Sequence, residues 1–277
     1  MPSSTASRPD TALNTLQAQA RYYFDRSEFA RLTQRPPASP SVTMALHRLL
    51  KRGRIVAVTR RPSGYLIVPP EHTSFGAPPF SWWVHDCVTP IEPHYYVCML
   101  SAAQHWGSAH YARQDIQVMI SRAHPALTPG RLRLRFTVKR NLNATPTVMV
   151  TNSVAPWRVS TKAATVLDLL RHQAAAGGLE SVVRVLRDLA PSITTTELRT
   201  ALAALDQRST AQRLGFLLER LSHPVLAKVT LAWLSTSTHR MPQRLELGIV
   251  SLDKLDTDKR WNIAFDPMRV QLALELQ

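Results

Sequence analysis

Between Ser41 and Lys51 the hydrogen-bonding side chains Ser41, Thr43, His47, Arg48 and Lys51 interleave at helical spacing with the apolar Val42, Ala45, Leu46, Leu49 and Leu50. On a helix the two sets fall mostly on opposite faces. A face of short hydroxyls, an imidazole and cations suits a polyanion. Hydroxyls and cations hold phosphate, and a guanidinium pairs in bidentate fashion with a guanine edge, a role for which Arg48 is the candidate. Further on, Arg60-Arg61-Pro62-Ser63-Gly64 places two guanidiniums at a turn, with the hydroxyls of Ser63 and Tyr65 beside them. Arg60 and Arg61 there suit an adjacent minor groove, where a narrow A-tract concentrates negative potential. A second basic set alternates along 131–139: Arg131, Arg133 and Arg135 against Leu132, Leu134, Phe136 and Val138, followed by Lys139 and Arg140. That alternation predicts a half-buried strand with a basic outer face, able to extend a DNA footprint or meet an acidic partner.

Other chemistries find less support. Cys87, His94, Cys98 and His105 have a C-x6-H-x3-C-x6-H spacing. No common zinc module uses it, so buried thiols and helix-face histidines are the expectation. Asp115, Asp168 and Glu180 are scattered, without the acidic pair and nearby lysine of a metal-dependent nuclease. Asp168, within Leu167-Asp168-Leu169-Leu170, is the most site-like of them. Its plainer reading is a helix residue facing solvent or pairing with Arg171 or His172. The chain lacks GxxxxGK[ST], GxGxxG and GxSxG, which disfavours nucleotide hydrolysis, dinucleotide binding and α/β-hydrolase chemistry. The expectation is a protein that is not an enzyme and takes no cofactor or metal.

The elements that must position the basic face read as follows. Thr11 opens a first helix with Leu13, Leu16, Ala20, Tyr23 and Phe24 at helical spacing, after a Ser/Thr/Pro-rich stretch, Met1 to Ser7, that reads as disordered. Ser27 caps a short helix to Thr33, which Pro36-Pro37 stops. The reading helix runs Ser41 to Arg52 and ends at Gly53. Arg54 to Arg60 and Tyr65 to Val68 then flank a Pro-Ser-Gly turn as a hairpin. Two short helices, a basic turn and a hairpin are the order of a winged helix-turn-helix, the hairpin being the wing.

Charge agrees. Residues 1–70 carry 11 Arg and Lys against 3 Asp and Glu, a net of +8, more than half of the chain's +15. A pI near 10.8 calls for a polyanion, since each neutralised phosphate releases counterions. RNA and anionic membranes attract the same charge. Duplex DNA is favoured because the narrow A-form major groove excludes a helix. No apolar run of about 18 residues and no signal-peptide core, with a polar Met1 to Asp10, argue against a membrane. Two cysteines without a CxxC pair fit a reducing cytoplasm.

At 277 residues the chain is long enough for two domains. The breaker-rich stretch from Pro69 to Pro79 marks the boundary, giving a DNA-binding domain over 1–72 and a mixed domain over 73–277. In the second, Phe80 to Cys87 and Tyr96 to Gly107 read as helices, and Ile116 to Ile120, Val148 to Thr151 and Trp157 to Val159 as strands. Helices follow from Thr161 to His172, Leu179 to Leu189, one opened by a Thr194/Glu197 capping box, Arg213 to Leu221 and Val225 to Leu234. Late strands fit Leu245 to Ile249 and Trp261 to Phe265. The predicted class is α+β, an N-terminal winged helix-turn-helix followed by a larger mixed α/β domain.

Several stretches resemble AbiEi-type antitoxins: Tyr65-Leu66-Ile67-Val68-Pro69-Pro70-Glu71, Ser74-Phe75-Gly76-Ala77-Pro78-Pro79, Ser81-Trp82-Trp83, Tyr95-Tyr96-Val97, and Leu100-Ser101-Ala102-Ala103 leading to Gly107. Arg158-Val159-Ser160-Thr161, Ala164-Thr165-Val166-Leu167-Asp168-Leu169 and Gly177-Gly178-Leu179 resemble the same family's second half. The likeness runs from about Ser27 to Leu234, and its most specific part is the Pro-Pro-Glu to Ser-Trp-Trp stretch. It implies a bacterial type IV toxin–antitoxin system of the abortive-infection kind, in which the protein opposes a nucleotidyltransferase-like toxin. It also implies repression of its own operon through promoter inverted repeats, with the C-terminal domain needed for antitoxin action. The alternative is an interaction module that neutralises an acidic partner directly, DNA binding being incidental.

Overall fold

The computed structural model describes residues 9–60, 63–108, 115–151, 153–236, 241–247 and 255–275. They fall into two compact units. One comprises Met1–Tyr96, Arg113–Lys139 and Met149–Arg158, the other Val97–Ala112, Arg140–Val148 and Val159–Gln277. The chain opens with α1 (Pro9–Ala18), β1 (Tyr23–Asp25), α2 (Arg26–Leu32), α3 (Pro40–Lys51), β2 (Ile55–Arg60) and β3 (Ser63–Ile67). It continues through α4 (Val84–Val88), β4 (Tyr96–Val97), α5 (Met99–His105), β5 (Asp115–Ile120), β6 (Arg133–Val138), β7 (Thr147–Val150) and β8 (Trp157–Ser160). The last part holds α6 (Lys162–Arg171), α7 (Leu179–Leu189), α8 (Thr195–Leu205), α9 (Arg208–Arg220), α10 (Pro224–Leu234), β9 (Gln243–Arg244), β10 (Asp256–Asp258), β11 (Ile263–Phe265) and α11 (Pro267–Glu275).

In the first unit, β1, β3 and β2 form an antiparallel sheet in that order, with Phe24 opposite Tyr65 and Val56 opposite Leu66. One core joins this sheet to the three helices: Leu13 and Leu16 of α1, Phe29 of α2, Val42, Leu46 and Leu49 of α3, and Phe24, Ile55 and Ile67 of the strands. Each such side chain contributes about 1.5–3 kcal/mol on leaving water. Phe24 stacks between Phe29 and Tyr65, with centroids 5.7 and 5.6 Å away.

Local chemistry shifts several predicted ends. The first helix stops at Ala18, before Ala20 takes a positive φ of 57°, so Tyr23 and Phe24 are strand residues. The cap of α2 is Asp25, whose Oδ1 accepts from Glu28 N at 2.8 Å, and Ser27 lies inside the helix. A carboxylate caps well because it also meets the positive end of the helix dipole. α3 begins a residue before Ser41, with Ser39 as its cap and Pro40 at the first turn, where a missing N–H costs nothing. Gly53 takes the left-handed exit at φ +66°. Gly64 is a strand residue opposite Asp25 and Thr59. The Tyr23 hydroxyl sits 2.4 Å from where a Cβ on Gly64 would stand. The expected disorder of Met1 to Ser7 lies outside the described residues.

The breaker-rich stretch 69–79 is packed. Arg131 N donates to Phe75 O at 3.0 Å, and Trp83 Nε1 to Pro78 O at 3.1 Å. Trp82 lies against Tyr22 and His72, at 4.8 and 5.1 Å between centroids. β5 and β6 pair in parallel from Asp115/Arg133 to Ile120/Val138. Buried Glu92 secures the end of β5, accepting from Ser121 N at 3.1 Å and from His94 N at 3.2 Å. The predicted helix over Phe80 to Cys87 is a single 3-10 turn at Phe80–Trp82 followed by α4.

The second unit is mainly helical. α6 is buried from Ala163 to Leu170 and packs against α5, α7, α8 and α9. The stretch Tyr96 to Gly107 is not one helix: Val97 pairs with Val159 in parallel, and α5 begins only at Met99. Thr194 Oγ1 accepts from Glu197 N at 3.1 Å, yet the Glu197 carboxylate accepts from Ala163 N of α6 at 2.9 Å. The predicted reciprocal box is therefore half formed, its acid serving a neighbouring helix. β10, β11 and β9 make a small sheet in that order. Of the predicted strand Leu245 to Ile249, residues 245–247 are a bend and the rest lies outside the described residues; the strand there is Gln243–Arg244, just before it. α11 was not predicted; Asp266 starts it, its Oδ1 accepting from Met268 N at 2.9 Å and Arg269 N at 3.3 Å.

Candidate nucleic-acid interface

α3 buries Val42, Ala45, Leu46 and Leu49 and exposes Ser41, Thr43, Met44, His47, Arg48 and Lys51. Its 12 residues span roughly 18 Å, enough to lie across a major groove about 12 Å wide. Ser41 Oγ lies 3.0 Å from Ser39 Oγ. Thr43 Oγ1 accepts from Arg26 Nη2 at 2.7 Å, while Arg26 Nε donates to Pro37 O at 2.7 Å. Arg26 thereby ties the start of α2 to the turn before α3 and to α3 itself. Sequence reasoning missed both Arg26 and Met44, which is 54% exposed in the middle of the polar face. The signal for Met44 was its place, three residues after Ser41 and four before Arg48. An apolar side chain there suits a thymine methyl group.

At the hairpin, Arg60 is exposed and pairs with Ser63 across β2 and β3, and Ser63 Oγ donates to Arg60 O at 3.3 Å. Arg61 lies outside the described residues. The Tyr65 ring stacks on Phe24 and is half-buried, so its body serves the core. Arg131, Arg133 and Arg135 are exposed in the same compact unit as α3. Arg135 Nε lies 2.9 Å from Asp115 Oδ2, which reduces the free charge of that strip. Lys139 leaves the strip altogether. It is 6% exposed, and its Nζ donates to the Tyr96 hydroxyl at 2.9 Å. Arg140 is exposed in the second unit.

The remaining candidates scatter. Cys87 and Cys98 are buried free thiols, and burial pushes the Cys87 thiol up to about 12. His94 and His105 are exposed, and partial burial of the His105 ring lowers its pKa. Asp168 is fully buried, not on a solvent face as its helix position suggested. Glu180 lies 3.7 Å from Arg269. Among the described residues no group of three or more His, Cys, Asp or Glu could hold a metal ion, and no helix is long and apolar enough to cross a membrane.

α3 thus carries an outward face of hydroxyls and cations on a small mixed α/β module, which a larger α/β part follows. Residues 95–220 match the family model of the AbiEi antitoxin C-terminal domain. The crystal structure of the RV2827C protein from Mycobacterium tuberculosis is similar at 15% identity with a TM-score of 0.65, covering 96% of this chain and 97% of that one. At that identity the likeness speaks for the fold alone. No curated protein sequence matches.

Proposed function

We propose that this chain is the DNA-binding antitoxin of a type IV toxin–antitoxin system. It opposes a nucleotidyltransferase-like toxin and represses its own operon by binding inverted repeats at the promoter. One observation carries the DNA part of this reading: α1-β1-α2-α3-β2-β3, with sheet order β1-β3-β2, leaves the basic face of α3 outward and its apolar face in the core. That arrangement supports a winged helix-turn-helix over 1–72, with α3 in the major groove and the β2–β3 hairpin as the wing. Arg48 reads guanine, Ser41, Thr43, His47 and Lys51 hold backbone or base edge, and Arg60 and Arg61 follow the minor groove. Residues 73–277 form the antitoxin part, a role supported by the match over 95–220. The protein acts without catalysis in the cytoplasm, repression following from exclusion of polymerase. This phage-defence reading is tested by a shift assay on the gene's own promoter beside growth after induction of the neighbouring toxin gene. Failure to prefer the promoter over random duplex refutes the repressor role, and failure to rescue growth refutes the antitoxin role.

The exposed Arg131, Arg133 and Arg135 favour a second reading, in which this strip meets an acidic partner directly. A pull-down of the neighbouring gene product, lost when these arginines become glutamine, supports it.

A further inference from the structure

Beside the hairpin the first unit holds a cleft of about 680 Å³ that the reading above does not use. Its size falls within the range of small-molecule sites, roughly 300–1,000 Å³. Three consecutive residues of β2, Val58, Thr59 and Arg60, line it. In a regular strand successive side chains point to opposite faces. Here the register breaks, Ala57 facing Tyr65 and Thr59 facing Gly64, so Val58 is an inserted residue. Such a bulge re-aims side chains, and it turns this end of β2 into a wall.

The lining chemistry is one-sided. Val58, Pro90, Ile91, Pro125 and Leu127 supply apolar surface, and the polar groups are Tyr23, Thr59, Arg60, His124 and Thr128. No carboxylate is among these lining residues, and among the described residues Arg60 has no ion-pair partner. His124 Nδ1 lies 2.7 Å from Pro125 O, so that nitrogen carries the proton and donates to the carbonyl. The His124 ring is further fixed edge-on against Phe136, with centroids 5.1 Å apart. A fixed imidazole, hydroxyls and an unpaired guanidinium over apolar walls match an organic anion with an aromatic or aliphatic body.

We propose that this cleft binds a small organic anion of that kind, its acid group on Arg60, and that occupation weakens the hold of the hairpin on DNA. The coupling, unlike the site itself, rests on the DNA-binding reading. One guanidinium cannot serve a ligand carboxylate and a DNA phosphate at once, and linkage makes the competition reciprocal.

The probe is 8-anilinonaphthalene-1-sulfonate, an aromatic anion whose fluorescence rises in apolar surroundings, titrated into the full-length protein without DNA. Saturable binding at one site is expected. Arg60→Gln should weaken it roughly tenfold, the loss of one charge-assisted contact. Ala126→Trp, on an exposed stretch lining the cleft, should fill it and weaken binding at least as much. The neutral N-phenyl-1-naphthylamine should bind more weakly than the sulfonate. Unaltered binding in either variant, with circular dichroism unchanged, overturns the site, as does equal affinity for the neutral probe. Adding promoter duplex to the loaded protein should then release the probe. Retention of the probe by protein that still shifts the duplex overturns the coupling, while a protein that shifts no duplex fails the DNA reading and leaves the titration result standing on its own.

Discussion

Arg26 holds Thr43 from a neighbouring helix: its Nη2 donates to the threonine hydroxyl at 2.7 Å while its Nε donates to Pro37 O at the same distance. A planar, two-point contact at the surface therefore ties α2 to the turn before α3 and to α3 itself, above the apolar core that the two helices share. Thr43 gives up acceptor capacity to Arg26 and keeps its own O–H as a donor for the proposed phosphate contact.

Replacing Arg26 with Ala should cost about 0.5–1.5 kcal/mol of stability, the net worth of such hydrogen bonds. Promoter affinity should fall further than that of Thr43→Val, which removes only one of the two contacts. Urea denaturation and shift assays on both variants check this. Equal stability in Arg26→Ala and the parent would mean the contact does not hold the helices together.

How much of this was legible in sequence depended on whether a local pattern decided the outcome. Leu179 to Leu189 has the same bounds in sequence and structure, because its apolar periodicity follows two glycines with positive φ. Tyr96-Val97-Cys98 and Tyr23-Phe24 misled, since a short apolar run has no period to separate strand from helix. Asp266-Pro267 carries a local helix-start signal, an acidic cap before a proline. Glu197 could not be read, because its second partner, Ala163, is 34 residues away. Lys139 continues the alternation of Arg131, Arg133 and Arg135, but β6 ends at Val138 and Tyr96 draws the ammonium inward.

Gly130 and Gly53 both have positive φ, +57° and +66°. A Cβ on Gly130 would stand 2.6 Å from the Gly76 carbonyl carbon and the Phe75 oxygen, whereas one on Gly53 meets nothing within 4 Å. Gly53→Ala should cost about 1 kcal/mol, the left-handed strain alone. Gly130→Ala adds a backbone clash and should cost roughly 2–4 kcal/mol, within the range for strain plus overpacking. Thermal melts of the pair separate the two effects, and equal costs would show that the contact with 75–76 is slack.

Cys87 keeps its proton in the folded chain because burial raises its thiol from 9.0 to about 12. The unfolded thiol ionises first as pH rises. Its contribution to stability is therefore complete below about 9 and is lost as pH climbs toward about 12. Iodoacetamide at mildly alkaline pH should leave Cys87 unmodified in the native protein and alkylate it in urea, read by mass spectrometry. Modification at equal rates in both conditions would place the thiol at the surface.

Arg48 separates the proposed roles. It is exposed on α3, so Arg48→Ala removes the proposed base contact without opening the core formed by Leu46 and Leu49. The substitution should cost about 1–3 kcal/mol on the promoter and relax preference at one base pair. A residue that only neutralises phosphate would weaken promoter and random duplex alike and lower the salt slope by about one. Stability should change little, because the Arg48 side chain is exposed and among the described residues has no hydrogen-bond or ion-pair partner. Toxin protection should persist, since 95–220, the stretch that matches the AbiEi antitoxin C-terminal domain, is untouched. A promoter-driven reporter and growth after toxin induction, measured in the same strain, give the two readouts. Derepression with full rescue assigns reading to α3 and protection elsewhere; loss of both together would mean that protection runs through repression.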